Sequence, residues 1–250
     1  MKACFLAAGR GSRLGESDLP KPLWEIGPGV TILGRQIDTL RERGIDDICV
    51  VIGWKSEIMR EHLADSRVTL VENTHPDLAE SGSAHSFQFA ARSPFDPLDG
   101  KEPCLLLDAD LVYERCILEP ILANGGPSRI LVSPRVSEDS EEVRVYGDNG
   151  RPRLLGKDLG RPQTQGLELL GEATGIVRFE PQDHTLVRSL VETIRIGEEH
   201  EWIVQSLMKR DRMRAVHFPE GLLFMEADSP EDFDRIRGDV YPEIAKREGA

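Results

Sequence analysis

Short apolar runs alternate with helical patterns through the first half of the chain. Residues 2–7 read as a strand, and apolar positions at helical spacing over 31–43 read as a helix ending at Gly44. Asp47-Ile48-Cys49-Val50-Val51-Ile52-Gly53 is strand-like again, followed by a helix over about 55–65 and a strand at 67–72. A helix at about 83–92 precedes another apolar strand at 103–108. This rhythm predicts an α/β fold, a mostly parallel, twisted sheet flanked by helices on both faces in the Rossmann manner. In such sheets ligands sit at the carboxyl ends of the strands.

The second half has a different texture. Residues 129–135, 142–147 and 152–156 read as strands, the last two joined by the turn signal Gly147-Asp148-Asn149-Gly150. A strand at 173–179 leads into two helices, then strands near 214–218 and 222–227 and a closing helix from 230. The expectation is one domain in three parts. Residues 1–128 bind a ligand, 129–215 form a small inserted β-containing lobe, and 216–250 return a strand and helix to the main sheet.

Composition narrows the function. With 31 basic against 44 acidic residues, the formal charge is −13, which argues against holding long nucleic acid through phosphate contacts. No stretch approaches the roughly 20 apolar residues of a membrane span, so no membrane partner is expected. Cys4, Cys49, Cys104 and Cys116 show no ligand spacing and read as reduced thiols, which points to the cytoplasm. His62, His75, His184 and His217 have neither ligand spacing nor a nucleophile nearby. The oligomeric state stays open, a homo-oligomer included.

The chemistry concentrates in Leu6-Ala7-Ala8-Gly9-Arg10-Gly11-Ser12-Arg13-Leu14, followed by Pro20-Lys21-Pro22-Leu23. A buried strand runs into small residues whose backbone a ligand can approach, with Ser12, Arg13 and Lys21 adding donors and positive charge. A triphosphate needs that convergence of donors. A dinucleotide fingerprint would require glycine where Leu14 stands, and no Gly-Lys-Ser/Thr triplet occurs. A second signal is the apolar strand Cys104–Leu107 ending in Asp108-Ala109-Asp110, where strand alternation puts both acids on one side. A third is Glu226-Ala227-Asp228-Ser229-Pro230-Glu231-Asp232, again acids at a strand end; Asp228 or Ser229 could equally cap the last helix.

The combined L-A-A-G-x-G-S-R-L…P-K-P-L pattern resembles the signature of the NTP-transferase family. That family includes sugar-1-phosphate nucleotidylyltransferases and phosphocholine cytidylyltransferases. The resemblance implies a glycosyltransferase-A-like fold. It places Leu6, Ala7, Ala8 and Gly9 beside base and ribose, and Gly11, Ser12 and Arg13 on the triphosphate. It puts Lys21 across the reacting phosphates, Asp108 in support, and Mg²⁺ on Asp110. The closing E-A-D-S-P-E-D resembles the cytidylyltransferase branch, which adds Glu226 and Asp228 to the metal site. The stretch from Arg13 to Pro20 is shorter than in most sugar-phosphate members.

The loop Glu80-Ser81-Gly82-Ser83-Ala84 stands where relatives contact the base with Q-x-G-T-A. A carboxylate at Glu80 accepts only, favouring base edges with donors, so CTP is expected first and GTP second; Glu80 could instead serve the helix dipole. Lys157 resembles a lysine near the reacting phosphates, though a solvated lysine explains it too. Glu172 resembles a residue lining the acceptor pocket, and Tyr113, with Trp24, Tyr146 and Trp202, could cage a quaternary ammonium unless it packs in the core.

The expected reaction is transfer of a nucleoside monophosphate to a small phosphate or phosphonate acceptor, such as phosphocholine or aminoethylphosphonate, with release of pyrophosphate. The rivals are a sugar-1-phosphate nucleotidylyltransferase, an inactive nucleotide-binding regulator of the same fold, and a glycosyltransferase using the Asp-x-Asp.

Overall fold

The computed structural model describes residues 1–11, 17–137 and 142–249. In chain order, β1 (Lys2–Ala7) enters the glycine loop, and the ribbon β2 (Glu25–Gly27) and β3 (Val30–Thr31) leads into α1 (Ile32–Arg41). Next come β4 (Asp47–Ile52), α2 (Ser56–His62), β5 (Thr69–Glu72), α3 (Ser83–Arg92), β6 (Cys104–Asp108) and β7 (Leu111–Tyr113). A short α4 (Glu119–Leu122) and β8 (Ser128–Ser133) precede the hairpin β9 (Arg144–Asp148) and β10 (Arg151–Gly156). Then follow α5 (Arg161–Thr164), β11 (Glu168–Phe179), α6 (His184–Val191), α7 (Glu201–Met208) and β12 (Met213–His217). The chain closes with β13 (Phe224–Glu226), α8 (Pro230–Arg235) and α9 (Tyr241–Glu248).

The main sheet runs β12-β8-β11-β6-β1-β4-β5. β5, β4, β1 and β6 pair in parallel, as do β12 and β8; β11 alone runs antiparallel between β6 and β8. Period-two alternation feeds two separate cores. Ala3, Phe5, Ile48, Val50, Leu105 and Leu107 meet Leu33, Ile37 and Leu40 of α1 and Met59 of α2. Cys4, Cys49, Val51, Leu106 and Phe179 meet Phe87 of α3, Val187 of α6 and Ile203 and Leu207 of α7. Each fully buried Leu, Ile or Phe contributes about 1.5–3 kcal/mol, so apolar strands with helices on both faces are the stable arrangement. Cys4, Cys49 and Cys104 are free and buried, and Cys116 is free and half-buried. Among the described residues, no helix is long and apolar enough to cross a membrane.

Two expectations about the second half are corrected. The span 129–215 is not an inserted lobe: β8, β12 and the second half of β11 belong to the main sheet. Every residue of β8 is buried, as in a central strand. The β9–β10 hairpin branches from the first half of β11 within the same nine-stranded sheet, and its Val145 and Leu155 pack into the core with Phe87 and Leu106. The 12-residue β11 serves both, pairing with β9 through Glu168–Glu172 and with β6 through Ile176–Phe179. The closing strand β13 does not rejoin the main sheet either. It pairs antiparallel with β7 as a short ribbon, because β12 already takes the place beside β8.

Candidate active site

β1 delivers the glycine loop to the carboxyl edge of the sheet. Ala7 and Ala8 are buried, and a Cβ on Gly9 would meet no atom within 4 Å. Gly11 takes φ +64°, a left-handed conformation open to glycine at little steric cost. Leu6, Ala7, Gly9 and Gly11 border a small cavity of about 140 Å³ together with Lys21, Pro22 and Asp110. Ser12 and Arg13 lie outside the described residues. Lys21 opens a 3₁₀ turn anchored by the buried Pro22 and Leu23, which aims its side chain at the acids.

Acids from two distant strand ends converge there. Lys21 Nζ lies 2.6 Å from Asp110 Oδ2 and 3.2 Å from Asp228 Oδ1. The β7–β13 ribbon brings these carboxylates together, and it is extended by the hydrogen bond from Ala227 N to Asp110 O at 3.1 Å. Helix capping falls to Ser229: its Oγ accepts from Asp232 N, and Asp232 accepts in return from Ser229 N. Asp228 therefore points to Lys21 instead. Burial acts to lower the Lys21 pKa, but Asp110 and Asp228 outweigh it and hold the ammonium above its ordinary value. Burial pushes the Asp108 carboxyl well above its usual range, with Asp110, Glu201 and Glu199 acting in the same sense. Glu226 is raised for the same reasons, burial first and then Asp110, Asp108 and Asp228.

Beyond the acids opens a cavity of about 450 Å³ bordered by Asp108, Asp110, Lys157, Gly175, Glu199, His200, Glu201, Glu226 and Asp228. Lys157, assigned near the phosphates by resemblance alone, is exposed and borders the same space as the acids. Gly82 caps α3, and Ser83 and Ala84 open its first turn, with Ala84 fully buried. Glu80 sits exposed in the turn before it. Glu172 lies on the other side of the same acids. It is buried, accepts from Ser137 N and Oγ, and lines a neighbouring cavity of about 670 Å³ that Phe224, Arg235 and the site acids Glu226 and Asp228 also border. Ala173 borders both cavities, and Gly175 is the β11 residue that lies against Asp108.

Tyr113, expected at the acceptor, is corrected to a core residue. It is 2% exposed and packs with Leu33, Ile117 and Phe224. The supposed aromatic cage does not assemble: Trp24 packs edge-on against Phe233, and Trp202 leans on the core beneath α7. Glu199, His200 and Glu201 were missed by sequence reasoning. Their only signal was a run of acids around a histidine where a helix begins, which reads equally as ordinary N-terminal charge.

Among the described residues, no three His, Cys, Asp or Glu side chains converge closely enough to hold one ion as they stand. The donor set of Asp110, Glu226 and Asp228 is nevertheless all carboxylate oxygen, and mutual repulsion of these half-buried acids favours an added cation. That chemistry fits a hard divalent ion such as Mg²⁺.

Comparison with known proteins places the chain. The MobA-like NTP transferase domain matches residues 3–173. CMP-5'-(3-aminopropyl)phosphonate synthase of Streptomyces rubellomurinus is 32% identical over 76% of the chain and 31% of its own length. Mannose-1-phosphate guanyltransferase of Pichia angusta is 27% identical over 93% of the chain and 62% of its own length. The chain therefore spans less than two thirds of these relatives. The solved structure of the inositol-1-phosphate CTP transferase from T. maritima superposes with a TM-score of 0.73 at 21% identity, covering 96% of this chain and 97% of that one. That likeness concerns the fold. With the family domain covering well over half of its residues, the chain belongs to the MobA-like NTP transferase domain family.

Proposed function

We propose that this chain is a cytoplasmic, Mg²⁺-dependent nucleotidyltransferase that moves CMP from CTP to a small phosphate or phosphonate acceptor and releases pyrophosphate. The observation that carries the reading is Lys21 Nζ at 2.6 Å from Asp110 and 3.2 Å from Asp228, beside the glycine loop. The names of the Streptomyces and T. maritima relatives, both CMP- or CTP-linked, favour CTP.

The acceptor oxygen is already ionised near neutral pH, so the site has no need of a general base. Positioning and charge neutralisation are what remain. The loop amides from Gly9 to Gly11 cradle the phosphates, with Arg13 assigned there on sequence grounds. Lys21 donates to the reacting phosphates and Lys157 approaches from the acceptor side. Asp108 steadies the nucleotide. Asp110, Glu226 and Asp228 would hold the ion, which when bound neutralises charge on the α-phosphate and the departing pyrophosphate. The 450 Å³ cavity receives the acceptor.

A second reading, a sugar-1-phosphate nucleotidylyltransferase using GTP, draws on the mannose-1-phosphate relative. A pyrophosphate-release screen crossing four NTPs with phosphomonoesters, phosphonates and sugar phosphates separates the two. CTP with a non-sugar acceptor is expected to lead. Release of free nucleoside diphosphate, or no turnover with any pair, would sink the proposal.

A further inference from the structure

The segment 197–201 meets the start of α3 at closer range than ordinary packing. Ser83 N donates to the Glu199 carboxylate at 2.7 Å, Ala84 N donates to Glu198 O at 3.2 Å, and His200 N donates to Ser83 Oγ at 2.8 Å. A Cβ on Gly82 would sit 2.1 Å from Glu198 O, so only glycine admits this approach. At the centre is the His200 ring, in a residue 3% exposed, with Nδ1 facing three oxygen groups. Ser83 Oγ lies at 3.1 Å, a Glu201 carboxylate oxygen at 3.5 Å and Asp108 Oδ1 at 3.9 Å.

An imidazole nitrogen presenting its lone pair to two carboxylates would be repelled by both. Ser83 Oγ already accepts the His200 backbone N–H and has a second lone pair to offer. The proton therefore belongs on Nδ1, which donates to Ser83 and presents positive hydrogen to Glu201 and Asp108. At 3.9 Å the last contact is electrostatic attraction and not a hydrogen bond. On the opposite side, Asp108 Oδ2 rests against Gly175, where a Cβ would stand 2.3 Å from it. Asp108 is thus held between a ring and a bare backbone.

We propose that His200 is a positioning residue of the transfer site: its Nδ1–H, hydrogen-bonded to Ser83, holds the Asp108 carboxylate against Gly175 by electrostatic attraction and ties the nucleotide-side loop to the acceptor cavity. This rests on the nucleotidyl-transfer reading of Asp108, so one arm of the test needs no turnover. ¹⁵N spectra of the full chain at neutral pH are expected to show a protonated His200 Nδ1 whose shift moves in Asp108→Asn. A bare, unprotonated Nδ1, or a shift indifferent to Asp108→Asn, overturns the proposal whatever the enzyme catalyses. In the pyrophosphate assay, His200→Leu should lower kcat about 10–100-fold, on the scale of a misplaced site group, with KM for the nucleotide changed less than kcat. His200→Asn puts an amide donor near the Nδ1 position and should recover most of that loss. A Leu variant within twofold of wild type, or an Asn variant as impaired as Leu, also overturns it.

Discussion

Gly175→Ala perturbs the site by a single methyl group. At φ +67° an alanine pays about 1–2 kcal/mol of backbone strain, which in a chain of 250 residues lowers Tm by roughly 2–8 °C. The methyl would also stand 2.3 Å from Asp108 Oδ2, whereas ordinary contact begins at 3.4 Å. The carboxylate must retreat by about 1.1 Å, the difference between those two distances. Displacement of a site group by about 1 Å costs on the order of 10²-fold in rate, so kcat for pyrophosphate release should fall about 100-fold. Gly44→Ala is the matched control, with φ +74° and no atom within 4 Å of the added methyl. It should lose similar stability by calorimetry and keep its turnover. If both variants melt alike and both turn over within threefold of wild type, Asp108 does not matter to the chemistry.

Lys21→Met removes the ammonium shared by Asp110 and Asp228 and should lower kcat by about 10²–10³-fold; near-normal turnover refutes its role. The same variant should bind Mn²⁺ more tightly without nucleotide, by calorimetry, because the competing cation is gone; unchanged binding argues against an ion between those acids. Ser229→Ala deletes the cap of α8 and should cost about 1 kcal/mol in urea unfolding while turnover stays within a few-fold. A collapse of turnover would give Ser229 another role. His184 is buried, accepts from Gly100 N at Nδ1, and burial holds its pKa below the ordinary value. The unfolded chain, titrating near 6.5, binds the proton more readily, so stability should decline as pH falls from about 6.5 through the lower folded pKa. His184→Gln should flatten that decline in urea midpoints between pH 7.5 and 5.5, and an unchanged slope assigns it to another group.

The first half of the fold was legible because each element carried one unmixed signal. Apolar runs such as 47–52 have a single stable place, covered on both faces, and the glycines after β1 have few structural uses. The convergence of Asp110 and Asp228 on Lys21 was foreshadowed for a related reason, since carboxylates at the ends of apolar strands are expensive without a partner. Tyr113 was misread because an aromatic beside an acid motif looks the same whether it faces ligand or core; its direction depends on the β7–β13 pairing, which is remote in sequence. Which cavity Glu172 borders was not legible, because it depends on the irregular register along β11. His200 was invisible because its partners Ser83 and Asp108 lie 117 and 92 positions away, and no local pattern marks such a meeting.

Because β11 is shared, the proposed acceptor side is not a detachable module. The strand that supplies Gly171 and Glu172 to the hairpin continues without a break into the wall carrying Ile176, Val177 and Phe179. Grafting a different hairpin to change the proposed acceptor would require splicing inside that strand, near its irregular register between Ala173 and Val177. Every such splice falls within two residues of Gly175, so retargeting the acceptor and preserving the seat of Asp108 become a single design problem.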